Sequence, residues 1–137
     1  MRRLFLAASL FGLLSGCASN RTSDELALAQ SLADPEVSGF NFTRLQGWQA
    51  LGDSHLIVQV SGRRAYFLTL SHPCRDLDYQ IEIGLSSFGH RVQAGFEYVL
   101  LNGGGLPHAL PSRCRIHKIQ PIAIKALDQA RAALRKQ

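Results

Sequence analysis

The chain has 137 residues, 46% hydrophobic and 18% charged, a balance that excludes a disordered or fibrous protein and fits one folded domain. Its formal charge of +5 falls to +3 once Arg2 and Arg3, in a segment expected to be removed, are discounted. So small a surplus on an exported chain argues against nucleic acid and leaves anionic envelope polymers or lipid headgroups as electrostatically suited partners.

The first element is a targeting segment. Arg2 and Arg3 precede a largely apolar run of 11 residues, Leu4 to Leu14, and Ser15-Gly16 then lead into Cys17. A bilayer-spanning helix needs about 20 apolar residues, so the run reads as a signal peptide over residues 1–16. Small residues directly before a cysteine form a lipobox, which makes Cys17 the expected lipidation site and the first residue of a mature chain of 121 residues. Two or more palmitate-type acyl chains anchor stably where one does not, so the expected partner at this end is the membrane. Ala18 and Ser19 are not the aspartate that retains many lipoproteins in the inner membrane. The expected location is therefore the periplasmic face of the outer membrane.

Residues 17–39 read as a tether. Thr22 and Ser23 can cap a short helix, Asp24 and Glu25 suit its first turn, and Pro35 and Gly39 end it. Fully extended, such a segment reaches on the order of 70 Å. Residues 40–137 then read as a single periplasmic domain.

Within that domain the hydrophobic period is that of short strands. Phe40–Thr43 and Leu45–Leu51 are followed by the turn signal Gly52-Asp53-Ser54. In His55–Val60, Leu56, Val58 and Val60 alternate on one face, and Ile57 makes the second face partly apolar. Ser61 to Arg64 form a hairpin turn, and Ala65–Leu70 return with Tyr66, Leu68 and Leu70 alternating. A short helical turn follows near residues 73–79, with Pro73 at its first position and Cys74, Leu77 and Ile81 inward. Ile81, Ile83 and Leu85 alternate again, Arg91–Gln93 is a short strand, and Phe96–Leu101 a stronger one. Asn102 to Pro107 is a glycine-rich loop without the Lys-Ser/Thr of a phosphate cradle. Arg113–Ile119 is the last strand. After Pro121 the spacing is helical, with Ile122, Ala126, Leu127, Ala130 and Leu134 on one stripe and Lys125, Asp128, Arg131, Arg135 and Lys136 towards water. The predicted class is α+β: a curved antiparallel sheet or partial barrel of about six short strands with a C-terminal helix.

Several of these segments together resemble a family of small proteobacterial lipoproteins of unknown function. The residues that carry the resemblance are Gly47-Trp48, Tyr66-Phe67-Leu68-Thr69-Leu70, Cys74-Arg75-Asp76-Leu77, Gly95-Phe96 and Cys114-Arg115-Ile116, spread over Phe40 to Pro121. The resemblance implies an exported domain with paired cysteines, and it brings no substrate or catalytic residue.

Candidate chemistry is sparse. With Cys17 lipidated, Cys74 and Cys114 form an even pair in an oxidising compartment and are expected to be a disulfide. The same sulfurs with His72 and His117 also make a set that zinc accepts, in an envelope enzyme or zinc-binding protein. Strand alternation opposes it, because Cys114 and His117 point to opposite faces unless the strand bulges. No Gly-x-Ser-x-Gly elbow is present, and Asp76 and Asp78 do not face one another on a helix. No cofactor motif is found, and the expected role is non-enzymatic. Trp48, the lone tryptophan, reads as core. One feature suits binding: Arg113, Arg115 and His117 on one face of the last strand, with Arg63-Arg64 at a hairpin, form a candidate anion site for an envelope protein or anionic polymer.

Overall fold

The computed structural model describes residues 18–101 and 112–136. The expected signal peptide, Cys17 and the expected glycine-rich loop lie outside these residues. In chain order the elements are α1 (Ala18–Leu32), β1 (Gly39–Asn41), β2 (Gly47–Ala50), β3 (His55–Gln59), β4 (Ala65–Leu70), β5 (Ile83–Leu85), β6 (Arg91–Gln93), β7 (Tyr98–Leu101), β8 (Ser112–Ile122) and α2 (Ile124–Arg135). Six strands form one antiparallel sheet in the order β2-β3-β4-β8-β7-β5, curled into a half-barrel, and β1 pairs with β6 in a separate ribbon. The architecture is α+β, as the strand periods predict.

The alternation in β3 and β4 dictates two cores. Leu56 stands opposite Leu68, and both point into the concave side with Val58, Leu70, Ile116, Ile119, Val99 and Leu101. Ile57 stands opposite Phe67 on the convex side, where both are buried with Ala65 and Ile122. A sheet apolar on both faces must be covered on both. The β1–β6 ribbon closes the concave side through Phe40 and Val92, and the Phe40 ring stacks on Tyr66 with centroids 4.1 Å apart. The helices close the convex side through Ala29 and Leu127.

Here the expectation of a tether over residues 17–39 fails. Ala18–Leu32 is helical and docked, with Ala29 fully buried and Leu26, Leu28 and Leu32 packed on the convex core. The chain after it stays attached: Ala33 bridges Ile122, and Val37 bridges Ile119. The physical reason is the apolar convex face at Ile57 and Phe67, against which α1 and α2 both pack. Arg131, expected to face water, is instead drawn in. Its guanidinium donates to Gln49 Oε1, and Gln49 Nε2 donates to Glu25 at 2.8 Å, so one relay joins α2, β2 and α1.

Other departures are local. The helical turn is a single 3-10 turn over Leu77–Tyr79, preceded by Asp76 with φ of 66°, so Pro73 lies ahead of it rather than opening it. Leu77 is buried, but Ile81 is 95% exposed and not inward. The last strand runs on through Pro121, which faces Tyr66 of β4. Between Leu70–Ile116 and Thr69–Lys118 the register slips, leaving His117 as the extra residue of a bulge. The bulge explains how Ile116 and Ile119, three residues apart, are both buried.

Candidate functional site

The register of β7 and β8 builds the most distinctive surface. Tyr98 stands opposite Arg115, and Leu100 opposite Arg113, while Val99 and Leu101 between them are buried. Strand alternation therefore sends Tyr98, Leu100, Arg113 and Arg115 to the outer face. The Arg115 guanidinium donates to the Tyr98 hydroxyl at 2.8 Å and lies 5.4 Å from the ring centroid. Arg113 approaches the same ring at 6.0 Å. At an exposed site each such contact is worth about 0.5–1 kcal/mol. That is enough to bias two flexible side chains towards one place, though it does not neutralise them.

The charge on this face is not used internally. Among the described residues the ion pairs are Lys118–Glu36 and Arg131–Asp128, and neither involves Arg113 or Arg115. Both guanidiniums are exposed, and residues two apart on a strand sit about 7 Å apart. Two planar forks at that separation, both able to grip carboxylate or phosphate in a bidentate manner, suit a ligand carrying repeated negative charge.

The remaining sequence candidates fall in different places. His117 is exposed at the bulge and makes no hydrogen bond to the arginines. Arg63 and Arg64 belong to a hairpin whose next residue, Ala65, pairs with Ile122, at the other end of β8 and about 30 Å of extended strand from Arg113. Arg64 donates to the Asn41 carbonyl and lines an open cleft of about 460 Å³ with Phe42, Val60 and His90. The two arginine pairs therefore do not converge.

Cys74 and Cys114 are joined, with Cα atoms 5.8 Å apart and a sequence separation of 40. Closing a loop of that length stabilises by roughly 4 kcal/mol on the chain-entropy model. Bonded sulfurs have no thiolate to offer a metal. Among the described residues no three His, Cys, Asp or Glu side chains gather as a metal site, and His72 and His117 both lie exposed. Asp76 and Asp78 are exposed on either side of the 3-10 turn's start. Trp48 is half-buried against the concave core.

Tyr98 is the residue that sequence reasoning missed. The signal was present in the alternation of Phe96–Leu101, where inward Val99 and Leu101 force Tyr98 outward. What the pattern lacked was the pairing of β7 with β8, without which the ring has no known neighbour.

The model of DUF6491, a family of unknown function, matches residues 1–137. The chain belongs to this family. No curated protein and no solved structure matches it. The DUF6491 match runs through all the segments that carry the resemblance noted from the motifs, and its description names no activity. Among the described residues of this DUF6491 chain, no helix is long and apolar enough to cross a membrane.

Proposed function

We propose that this DUF6491 protein is a lipid-anchored, non-enzymatic binding module of the cell envelope that holds an anionic polymer on the face built by Tyr98, Arg113 and Arg115. The observation that carries the reading is the pair of exposed guanidiniums gathered over one tyrosine ring, with no carboxylate partner among the described residues. Residues kept for stability alone tend to be paired or dispersed. Two like charges held together are more useful to a ligand than to the fold, because their mutual repulsion is relieved only when an anion arrives.

The anchor and compartment rest on the sequence: a charged N-region, a short apolar run and small residues before Cys17. An exported, acylated chain facing the periplasm from the outer membrane meets abundant carboxylate- and phosphate-bearing polymers. The Cys74–Cys114 bond fits that oxidising compartment. A binding role is favoured over a catalytic one because the two sulfurs beyond Cys17 are spent on each other.

The test is a titration of the purified protein with a polyuronate oligosaccharide, followed by calorimetry, for wild type and for Arg113→Gln with Arg115→Gln. Loss of two charge-assisted contacts is expected to weaken binding at least about tenfold. Equal affinity in the double variant, or no binding by wild type at low salt, overturns the reading. Binding to anionic vesicles in place of the oligosaccharide would reassign the face to lipid headgroups.

A further inference from the structure

Among the described residues, the sheet ends at β5 on an edge that is short, three residues, and otherwise unguarded. β5 pairs with β7 on one side, and among the described residues no strand pairs with it on the other. The Ser86 amide donates to the Tyr98 carbonyl at 2.9 Å, which fixes the phase of the ladder. Residues 84 and 86 turn their backbone groups towards β7, so the N–H and C=O of Ile83 and Leu85 point outward. Folded proteins commonly guard such an edge with lysine, proline or inward charge. From Tyr79 to Phe88 there is no Lys, Arg or Pro, and Glu82 is the one charge.

What flanks the edge is apolar instead. Tyr79 is 85% exposed, Ile81 95% and Phe88 86%, two before the strand and one after it. Single exposed apolar residues need no explanation, but three bracketing an open strand edge do.

We infer that β5 pairs with β5 of a second copy of this chain, antiparallel about a two-fold axis at Gly84. The register selects itself. Centring on Gly84 sets Ile83 opposite Leu85 of the second copy and Leu85 opposite its Ile83. Those are the residues whose backbone groups point outward, so both pairs exchange both hydrogen bonds. Gly84 then meets Gly84 of the second copy as a non-hydrogen-bonded pair, the closest approach in an antiparallel ladder, where the lack of a side chain removes any clash. Counting outward, Ile81 falls opposite Ser87 of the second copy on the face of Ile83 and Leu85, and Phe88 falls opposite its Gln80 on the other face. Glu82 falls opposite Ser86, so the two acidic side chains do not meet. An isologous contact requires that one surface complement itself, and this edge does so in hydrogen bonding, in the Ile83–Leu85 pairs and in charge.

The test is the mass of the full chain in detergent, by light scattering and sedimentation at about 100 µM, a concentration that populates even weak dimers. Wild type is expected to be dimeric. Replacing Ile81 and Ser87 both by Lys sets like charges directly opposite one another across the axis and is expected to weaken the dimer at least about tenfold. Pairing Ile81→Lys with Ser87→Glu in the same chain places opposite charges there and is expected to restore it. Both side chains are exposed, so neither variant disturbs the core, and an unchanged circular dichroism spectrum verifies this. A monomeric wild type, or a dimer indifferent to the double-Lys variant, overturns the inference. Leu134→Lys, on the exposed part of α2, is the control that leaves the mass unchanged.

Discussion

His55 shows how one side chain ties packing to solution conditions. Its ring stacks on Phe67 with centroids 5.5 Å apart and planes 11° from parallel. Burial there lowers its pKa below the ordinary 6.5, while the neighbouring Asp53 carboxylate pulls the other way and does not prevail. The folded chain therefore holds the ring neutral at a pH where the unfolded chain has begun to protonate it. The sign follows: nothing is lost above about pH 6.5, stability falls as the pH drops through that value, and the loss levels off below the folded-state pKa. Urea unfolding at about pH 7.5 and about pH 5 measures the effect. His55→Phe keeps an aromatic ring against Phe67 and is expected to lose less stability between the two pH values than wild type. An equal loss would place the acid sensitivity elsewhere. Arg131 makes a related point about context. Its position in α2 predicts exposure, yet Gln49 draws the guanidinium inward and leaves its buried Nε without a partner, so its role depends on a strand about 80 residues earlier.

At the scale of elements, the β1–β6 ribbon depends on one close approach. A Cβ on Gly39 would lie 2.2 Å from the Val92 carbonyl oxygen, a backbone atom that cannot swing aside. Gly39→Ala is expected to cost about 1–3 kcal/mol and to lower the melting temperature, because relief requires moving Phe40 and Val92 out of the concave core. A melting temperature equal to wild type would mean that the ribbon shifts freely. The strands themselves were legible in the sequence wherever apolar residues recur at alternate positions, as Leu56 and Val58 in β3, Tyr66, Leu68 and Leu70 in β4, and Cys114 and Ile116 in β8. Two features were not. α1 has a weak apolar stripe rich in alanine, and its docking is legible only from the partner surface at Ile57 and Phe67, which a one-dimensional reading registers as a blemish in the alternation of β3. The bulge at His117 inserts one residue into β8, and from the sequence alone Ile116 and Ile119 seem to belong to opposite faces. The candidate site was legible to the same degree: Arg113 and Arg115 follow from alternation within one strand, Tyr98 only from the pairing of two.

For the whole molecule, membership of DUF6491 covers the full length, and the fold divides it into two cores sharing one curled sheet. The disulfide links the segment after β4 to β8 within the concave core. The proposed anchor is tested by fractionation. Cys17→Ser is expected to move the protein from the membrane to the soluble periplasmic fraction and to abolish incorporation of labelled fatty acid. Retention in the membrane would show that something other than acylation holds it there.

The docked position of α1 changes what an anchor at Cys17 means. Helix begins at Ala18, the next residue, and within three turns it is fastened to the sheet through Ala29 and the Glu25–Gln49–Arg131 relay. With Cys17 acylated, as proposed, no slack cord lies between lipid and domain. The protein would ride the bilayer as a bead pressed to its surface, sweeping a layer no deeper than its own body rather than the depth a loose segment could reach. Its pose would be inherited from the helix, and a ligand of the proposed face would have to come down to the membrane to be held.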